Sequence, residues 1–187
     1  MSGAVRRIPR LLVLRHAQAD PPTGPDLRDE ERPLSSKGRR QVTVVAAHLV
    51  ASGIEPDLVL CSAATRTRQT VAQLAHALPS GVPVLVEDQL YLAEANDLLA
   101  RLRQIDDGVP SVLLVGHNPG LHTLVMGLLN PSERHRVPTF PTAALSVHDL
   151  SVPRWSELGP ATTRLADFVT PRLLREAAGT PEQATDA

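Results

Sequence analysis

Leu11-Leu12-Val13-Leu14 is an apolar run that stops abruptly on Arg15 and His16. The run is too short for a core helix and shows no alternation, so it predicts a strand buried on both faces, as in a parallel α/β sheet. The polar pair then stands where that strand leaves the sheet, the edge at which open α/β sheets bind ligands. Taken alone, an Arg-His pair in that place is most often a solvated strand end. Two further segments repeat the arrangement.

Leu58-Val59-Leu60 is followed by Cys61-Ser62-Ala63-Ala64-Thr65-Arg66 and then by Val71, Leu74, Ala75 and Leu78 at helical spacing. Arg66 falls in the first turn of that helix, where a cation opposes the helix dipole. An anion held by Arg66 and the free backbone N–H groups would explain its place. The third segment, Ser111 to Val115, ends on Gly116-His117, and Asn118-Pro119 predicts an immediate helix start with Asn118 as N-cap. His117 is thereby aimed at the same sheet edge. Two arginines and two histidines at three strand ends read better as one site than as four solvated side chains.

Strand and helix alternate along the rest of the chain. Ser35 or Ser36 caps a helix through Val42, Val45 and Leu49 that ends at Gly53, and Val82 to Glu87 is a strand. Asp97 to Ile105 is a short helix capped by Asn96, Leu121 to Leu129 is another, and two late strands lie near Ala144 to Leu150 and Thr163 to Val169. These repeats predict an α/β fold, a three-layer α/β/α sandwich with a mostly parallel central sheet. The 187 residues, 42% of them apolar, suffice for one well-cored domain. Beyond about Glu176 the composition predicts a disordered tail.

A net charge of −1 offers no basic patch for nucleic acid. The basic stretch Val5 to Arg10 leads into too few apolar residues for a signal peptide, and no run approaches a membrane span, so a cytoplasmic protein is expected. Cys61, the single cysteine, reads as a small inert core residue. A cysteine-dependent phosphatase is a poor fit, because Arg66 falls a residue short of that loop's spacing and Thr67 stands where the arginine belongs.

Leu14-Arg15-His16-Ala17, Ser62 to Arg66 with Gln69-Thr70, and Gly116-His117-Asn118-Pro119-Gly120 occur in an order and at a spacing that resemble the histidine phosphatase superfamily. That branched group includes phosphoglycerate mutases, acid phosphatases and small phosphohistidine phosphatases. The resemblance spans about residues 11 to 170 and implies a histidine phosphatase domain over 1–175, with 176–187 as the tail. It implies that His16 is the nucleophile, that Arg15 and Arg66 clamp the phosphate, and that His117 hydrogen-bonds the transferring phosphoryl group, without metal or cofactor. Ala17, where most members have glycine, resembles the small phosphohistidine-phosphatase branch. Asn118 stands where acid phosphatases place an aspartate donor. Glu94 is then the possible proton donor, lying in the region where mutases keep a glutamate; the alternative is a solvated loop carboxylate.

The residues also favour a chemistry. A neutral imidazole, with an ordinary pKa of roughly 6.5, is a competent nucleophile near neutrality, and water readily cleaves the phosphorylated nitrogen. The planar forks of Arg15 and Arg66 suit charge developing on phosphoryl oxygens. Expelling a sugar alkoxide calls for a positioned acid, whereas an imidazole leaving group needs far less protonation. The expected activity is therefore dephosphorylation of phosphohistidine in a protein through phospho-His16. Its alternatives are a small-molecule phosphate monoesterase and a phosphate-binding module without turnover, so the partner is a phosphorylated protein or a small phosphorylated molecule. The proline-rich, acidic Gln18 to Pro33 loop follows the nucleophile; either it borders the site and Arg28 or Arg32 reaches a phosphate, or it is a surface loop without a function. His122 is off the i+4 spacing of shared helical metal ligands and reads as structural or solvated.

Overall fold

The computed structural model describes residues 8–22, 24 and 27–179. A six-stranded sheet forms its centre, with β1 at Arg10–Arg15, β2 at Leu58–Ser62, β3 at Val84–Glu87, β4 at Ser111–Gly116, β5 at Leu145–Leu150 and β6 at Thr163–Val169. The spatial order is β3-β2-β4-β1-β5-β6. The first four strands in that order are mutually parallel, β5 is antiparallel to β1, and β6 is antiparallel to β5. Helices α1 (Ser36–Ser52), α2 (Thr65–Leu74) and α5 (Pro171–Ala177) cover one face; α3 (Ala95–Leu102) and α4 (Gly120–Leu128) cover the other. This is the expected α/β sandwich.

The unalternating β1 run follows from its central place. Leu11 and Val13 pack into the core under α3 and α4, while Leu12 and Leu14 pack under α1 and α2. All four are 0–1% exposed, and each contributes about 1.5–3 kcal/mol of hydrophobic stabilisation. Parallel pairing aligns Arg15 with Gly116 and Cys61 with Val115, so β1, β4 and β2 end together at one edge. The chain therefore delivers its three polar strand ends to one place.

Helix α1 starts and stops as its residues dictate. The Ser35 hydroxyl accepts from Gly38 N–H at 3.0 Å, and Gly53 closes the helix at φ 61°. Gly38 serves a second purpose, since a Cβ there would lie 2.0 Å from the Gln18 carbonyl oxygen. The missing side chain lets the segment after His16 lie directly on α1.

Several boundaries differ from expectation, among them the start of β3, which is Val84 and not Val82. α4 begins at Gly120, not at Pro119, and Asn118 is no N-cap: its side-chain amide donates instead to the Phe140 carbonyl at 2.8 Å. The Leu121 N–H reaches the His117 carbonyl, so the strand end itself receives the first helical hydrogen bond. α3 begins at Ala95, with Glu94 rather than Asn96 in the N-cap position, and stops at Leu102. Glu176, read as the start of the tail, belongs to α5, whose cap is the Thr170 hydroxyl accepting from Leu173 N–H. The expected tail beyond Gly179, like the basic residues 5–7, lies outside the described residues. Among the described residues no helix is long and apolar enough to cross a membrane.

Candidate active site

Each of the four residues singled out from the sequence reaches the edge formed by β1, β4 and β2. Arg15 ends β1, His16 follows it, His117 follows β4, and Arg66 rises from the first turn of α2. The His16 and His117 rings lie 5.1 Å apart between centroids, and Arg66 NH2 is 3.4 Å from His117 Nδ1.

His16 is oriented by its own backbone. Its Nδ1 lies 2.7 Å from the Ala17 carbonyl, which can only accept, so Nδ1 carries the proton and Nε2 keeps the lone pair. Burial pushes its pKa down to about 4, opposed by the Ala17 contact and reinforced by Arg66, Arg15 and Arg32. The ring is therefore neutral and nucleophilic at pH 7. Ala17 is held in turn, its N–H donating to the Thr70 hydroxyl at 3.2 Å while that hydroxyl donates to the Arg66 carbonyl. Thr70 thus ties the loop after His16 to the helix that carries Arg66.

Arg15 donates from NH1 to the Phe140 carbonyl at 3.0 Å, whereas its buried Nε has no partner. Desolvation and the neighbouring Arg66 lower its pKa. An oxyanion between the two guanidinium groups would meet both demands. Arg66 is 3% exposed, and Asp29 anchors it: NH1 donates to the Asp29 carbonyl at 2.6 Å and NH2 to Asp29 Oδ2 at 2.9 Å. Each terminal nitrogen has two hydrogens: the second on NH1 remains for a phosphoryl oxygen, and the second on NH2 is directed at His117 Nδ1.

Asp29, on a 3₁₀ turn at Asp29–Glu31, is a site residue that sequence reasoning missed. It also accepts from Tyr91 OH at 2.7 Å and from Arg32 NH1 at 2.8 Å. Those bonds, Tyr91 first, hold its carboxyl well below the usual carboxylate range. Tyr91 was missed as well; its ring stands edge-on to His117 at 5.4 Å, with the Arg66 guanidinium 5.8 Å from its centroid. As the only tyrosine of the chain it was the one available signal, and nothing in the sequence tied it to this edge. Both loop arginines are engaged within their own loop. Arg28 is exposed and pairs with Glu30 and Glu31, while Arg32 is spent on Asp29 and the Asp20 carbonyl.

Glu94 is exposed at the start of α3, and its carboxylate makes no hydrogen bond or ion pair among the described residues. Its backbone packs on the start of α4, three residues after His117: a Cβ on Gly120 would lie 1.9 Å from the Ala93 carbonyl oxygen and 3.5 Å from Glu94 Cα. His122 is structural, stacked 6.1 Å from Phe140 with Nε2 at 3.2 Å from the Val137 carbonyl. Cys61 is buried with its thiol pushed up to about 12 by desolvation, which suits a core residue and not a nucleophile. Among the described residues no three His, Cys, Asp or Glu side chains stand together as a metal site.

Comparison with known proteins agrees with this geometry. Residues 11–91 match the model of the histidine phosphatase superfamily (branch 1). An uncharacterized protein of Mycobacterium tuberculosis is 30% identical over 167 residues, 85% of this chain and 100% of its own length. A chain assigned to phosphohistidine phosphatase SixA of Agrobacterium tumefaciens superposes with a TM-score of 0.75 at 30% identity, covering 87% of this chain and 98% of that one. The protein histidine phosphatase SixA in complex with tungstate gives 0.71 at 26% identity, over 87% and 97%. With its own strand ends carrying the two histidines and two arginines, this chain belongs to the histidine phosphatase superfamily and is a phosphatase.

Proposed function

We propose that the protein is a cytoplasmic, metal-independent phosphohistidine phosphatase acting on a phosphorylated protein through phospho-His16. His16 Nε2 gives its lone pair to phosphorus while the bond from phosphorus to the substrate ring breaks; that ring, already protonated from solvent on its far nitrogen, keeps the electron pair and departs as a neutral imidazole. Water then attacks phosphorus, the P–Nε2 bond breaks with its pair returning to Nε2, and inorganic phosphate leaves after the water's proton is lost. Arg15, Arg66 and His117 surround the oxygens that gain charge in both steps.

One observation supports this substrate class above the rest: among the described residues no carboxylic acid stands ready over His16. Asp29 is locked as a carboxylate between two arginines and a tyrosine, and Glu94 points its carboxylate at no partner. An imidazole, whose conjugate acid has a pKa of roughly 6.5, leaves without that help far more readily than an alkoxide. The likeness to SixA supports the same reading. A small-molecule monoesterase is the second reading, favoured by the packing of the Glu94 backbone on the start of α4, three residues after His117.

Incubation with a phosphohistidine protein and a panel of alkyl phosphates, in chelator, tests the proposal. Turnover of the phosphohistidine protein with an acid-labile, base-stable label on the enzyme is expected, and His16→Ala should lose both while keeping its fold. Faster turnover of alkyl phosphates would favour the monoesterase, and activity in His16→Ala would remove the mechanism.

A further inference from the structure

Ser62 ends β2 wholly buried, and its hydroxyl oxygen lies 2.8 Å from His117 Nε2. The opposite nitrogen, Nδ1, faces Arg66 and the neighbouring His16 ring. The ionisable groups around His117 are His16, Arg66, Arg15, Asp29 and Tyr91. Desolvation, then His16 and Arg66, push its pKa down to about 3, and only Asp29 pulls the other way. The ring is neutral at pH 7 and has a single N–H to offer.

The two histidines have opposite needs. His16 must present a bare nitrogen to phosphorus, and an acceptor behind it, the Ala17 carbonyl, draws the proton to the far side. His117 must present an N–H to a phosphoryl oxygen, which requires a donor behind it. A carboxylate or carbonyl at that position would hold the proton on Nε2 and leave a lone pair facing the substrate oxygens. A hydroxyl can donate instead. The Ala64 N–H approaches Ser62 Oγ at 3.5 Å, from the acceptor side, so the hydroxyl hydrogen is free for Nε2.

We propose that Ser62 is a positioning residue that sets the tautomer of His117: its hydroxyl donates to Nε2, so that the neutral ring presents Nδ1–H to the transferring phosphoryl group. This role rests on the reading that the phosphoryl group lies between His16 and His117. Because a hydroxyl also accepts, the same serine accommodates the reverse tautomer that the Arg66 N–H at Nδ1 selects, and a phosphoryl oxygen at Nδ1 takes the place of that contact. His117 then changes from acceptor to donor without gaining a charge.

Protein labelled with ¹⁵N in its histidine rings, with tungstate bound at pH 7, tests this directly. The expected spectrum shows His117 protonated at Nδ1 and bare at Nε2, and Ser62→Ala should lose that fixed preference. Tungstate bound with the His117 proton on Nε2 would overturn the role of Ser62 alone; wild type failing to bind tungstate would overturn the site reading and this role with it. In kinetics, Ser62→Ala should lower kcat/KM about 10- to 100-fold, the scale of one lost buried hydrogen bond, and Ser62→Thr should recover most of it. In a His117→Ala background the same change should cost less than about threefold, because coupled residues do not add. Equal losses in both backgrounds would show that Ser62 acts elsewhere.

Discussion

Asp29→Ala separates a positioning carboxylate from a catalytic or competing one. The variant removes Oδ2 from Arg66 NH2, yet the backbone carbonyl that binds NH1 at 2.6 Å is present whatever the side chain. Arg66 is therefore loosened on one of two bonds and not released. A hydrogen bond to a charged group is worth about 1.5–3 kcal/mol when buried, but the Asp29 side chain is 47% exposed, and solvent screening reduces such pairs toward about 1 kcal/mol. A loss of about 1–2 kcal/mol of transition-state stabilisation follows, about 5- to 30-fold in kcat/KM. Arg66→Ala removes the clamp itself and should cost about 3–4 kcal/mol, the scale of a lost oxyanion donor. The assay is kcat/KM at pH 7 on a phosphohistidine peptide and on an alkyl phosphate, with both substrates falling together in Asp29→Ala. A fall as deep as that of Arg66→Ala would refute the arithmetic. A rise above wild type would mean that the carboxylate competes with the substrate anion, and a loss confined to the ester would make Asp29 the acid.

Glu94→Gln should leave the phosphohistidine rate within about threefold, since the leaving imidazole departs without strong protonation; a hundredfold fall would reverse the substrate assignment. Stability should depend on pH through His148, which is buried between the Ser146 and Thr163 hydroxyls with its pKa pushed down to about 4 by desolvation. Its neutral form is favoured only in the folded state, so its stabilisation is full above the unfolded pKa of roughly 6.5 and is lost as pH falls from there through about 4, amounting to about 2 kcal/mol by pH 5. Urea unfolding at pH 7.5 and 5 checks this, and His148→Gln should show a smaller difference between the two; an unchanged difference would place the titration on other groups.

Much of the site was legible because buried parallel strands write themselves as uninterrupted apolar runs, and a run that stops on a charged residue marks its own exit. Arg15, His16 and His117 stand out in that way, and Arg66 as a cation in the first turn of its helix, where the dipole disfavours it. Asp29 does not stand out, for it is one of three consecutive acidic residues, Asp29-Glu30-Glu31, and only the turn selects which one meets Arg66. Tyr91 arrives from the connection after β3, whose length no local signal sets. Val84 to Val86 is as apolar as the central runs and forms the expected strand, yet it is 41–51% exposed, because β3 is the edge strand of the sheet. Helix α5 was legible and overlooked, since Thr170-Pro171 is an N-cap followed by proline at the first helical position.

The Phe140 carbonyl accepts from both Arg15 NH1 and the Asn118 side chain, and three residues later the Ala143 N–H reaches the Arg15 and His16 carbonyls from a left-handed φ of 57°. Both contacts come from backbone atoms, and the intervening side chains contribute little to them. Pro138, Thr139 and Pro141 are exposed and should accept many replacements in a mutational scan. A single-residue insertion or deletion between 138 and 142 would instead shift the carbonyl off two site residues at once. Selection on this stretch would then act on the number of its residues more than on their identity.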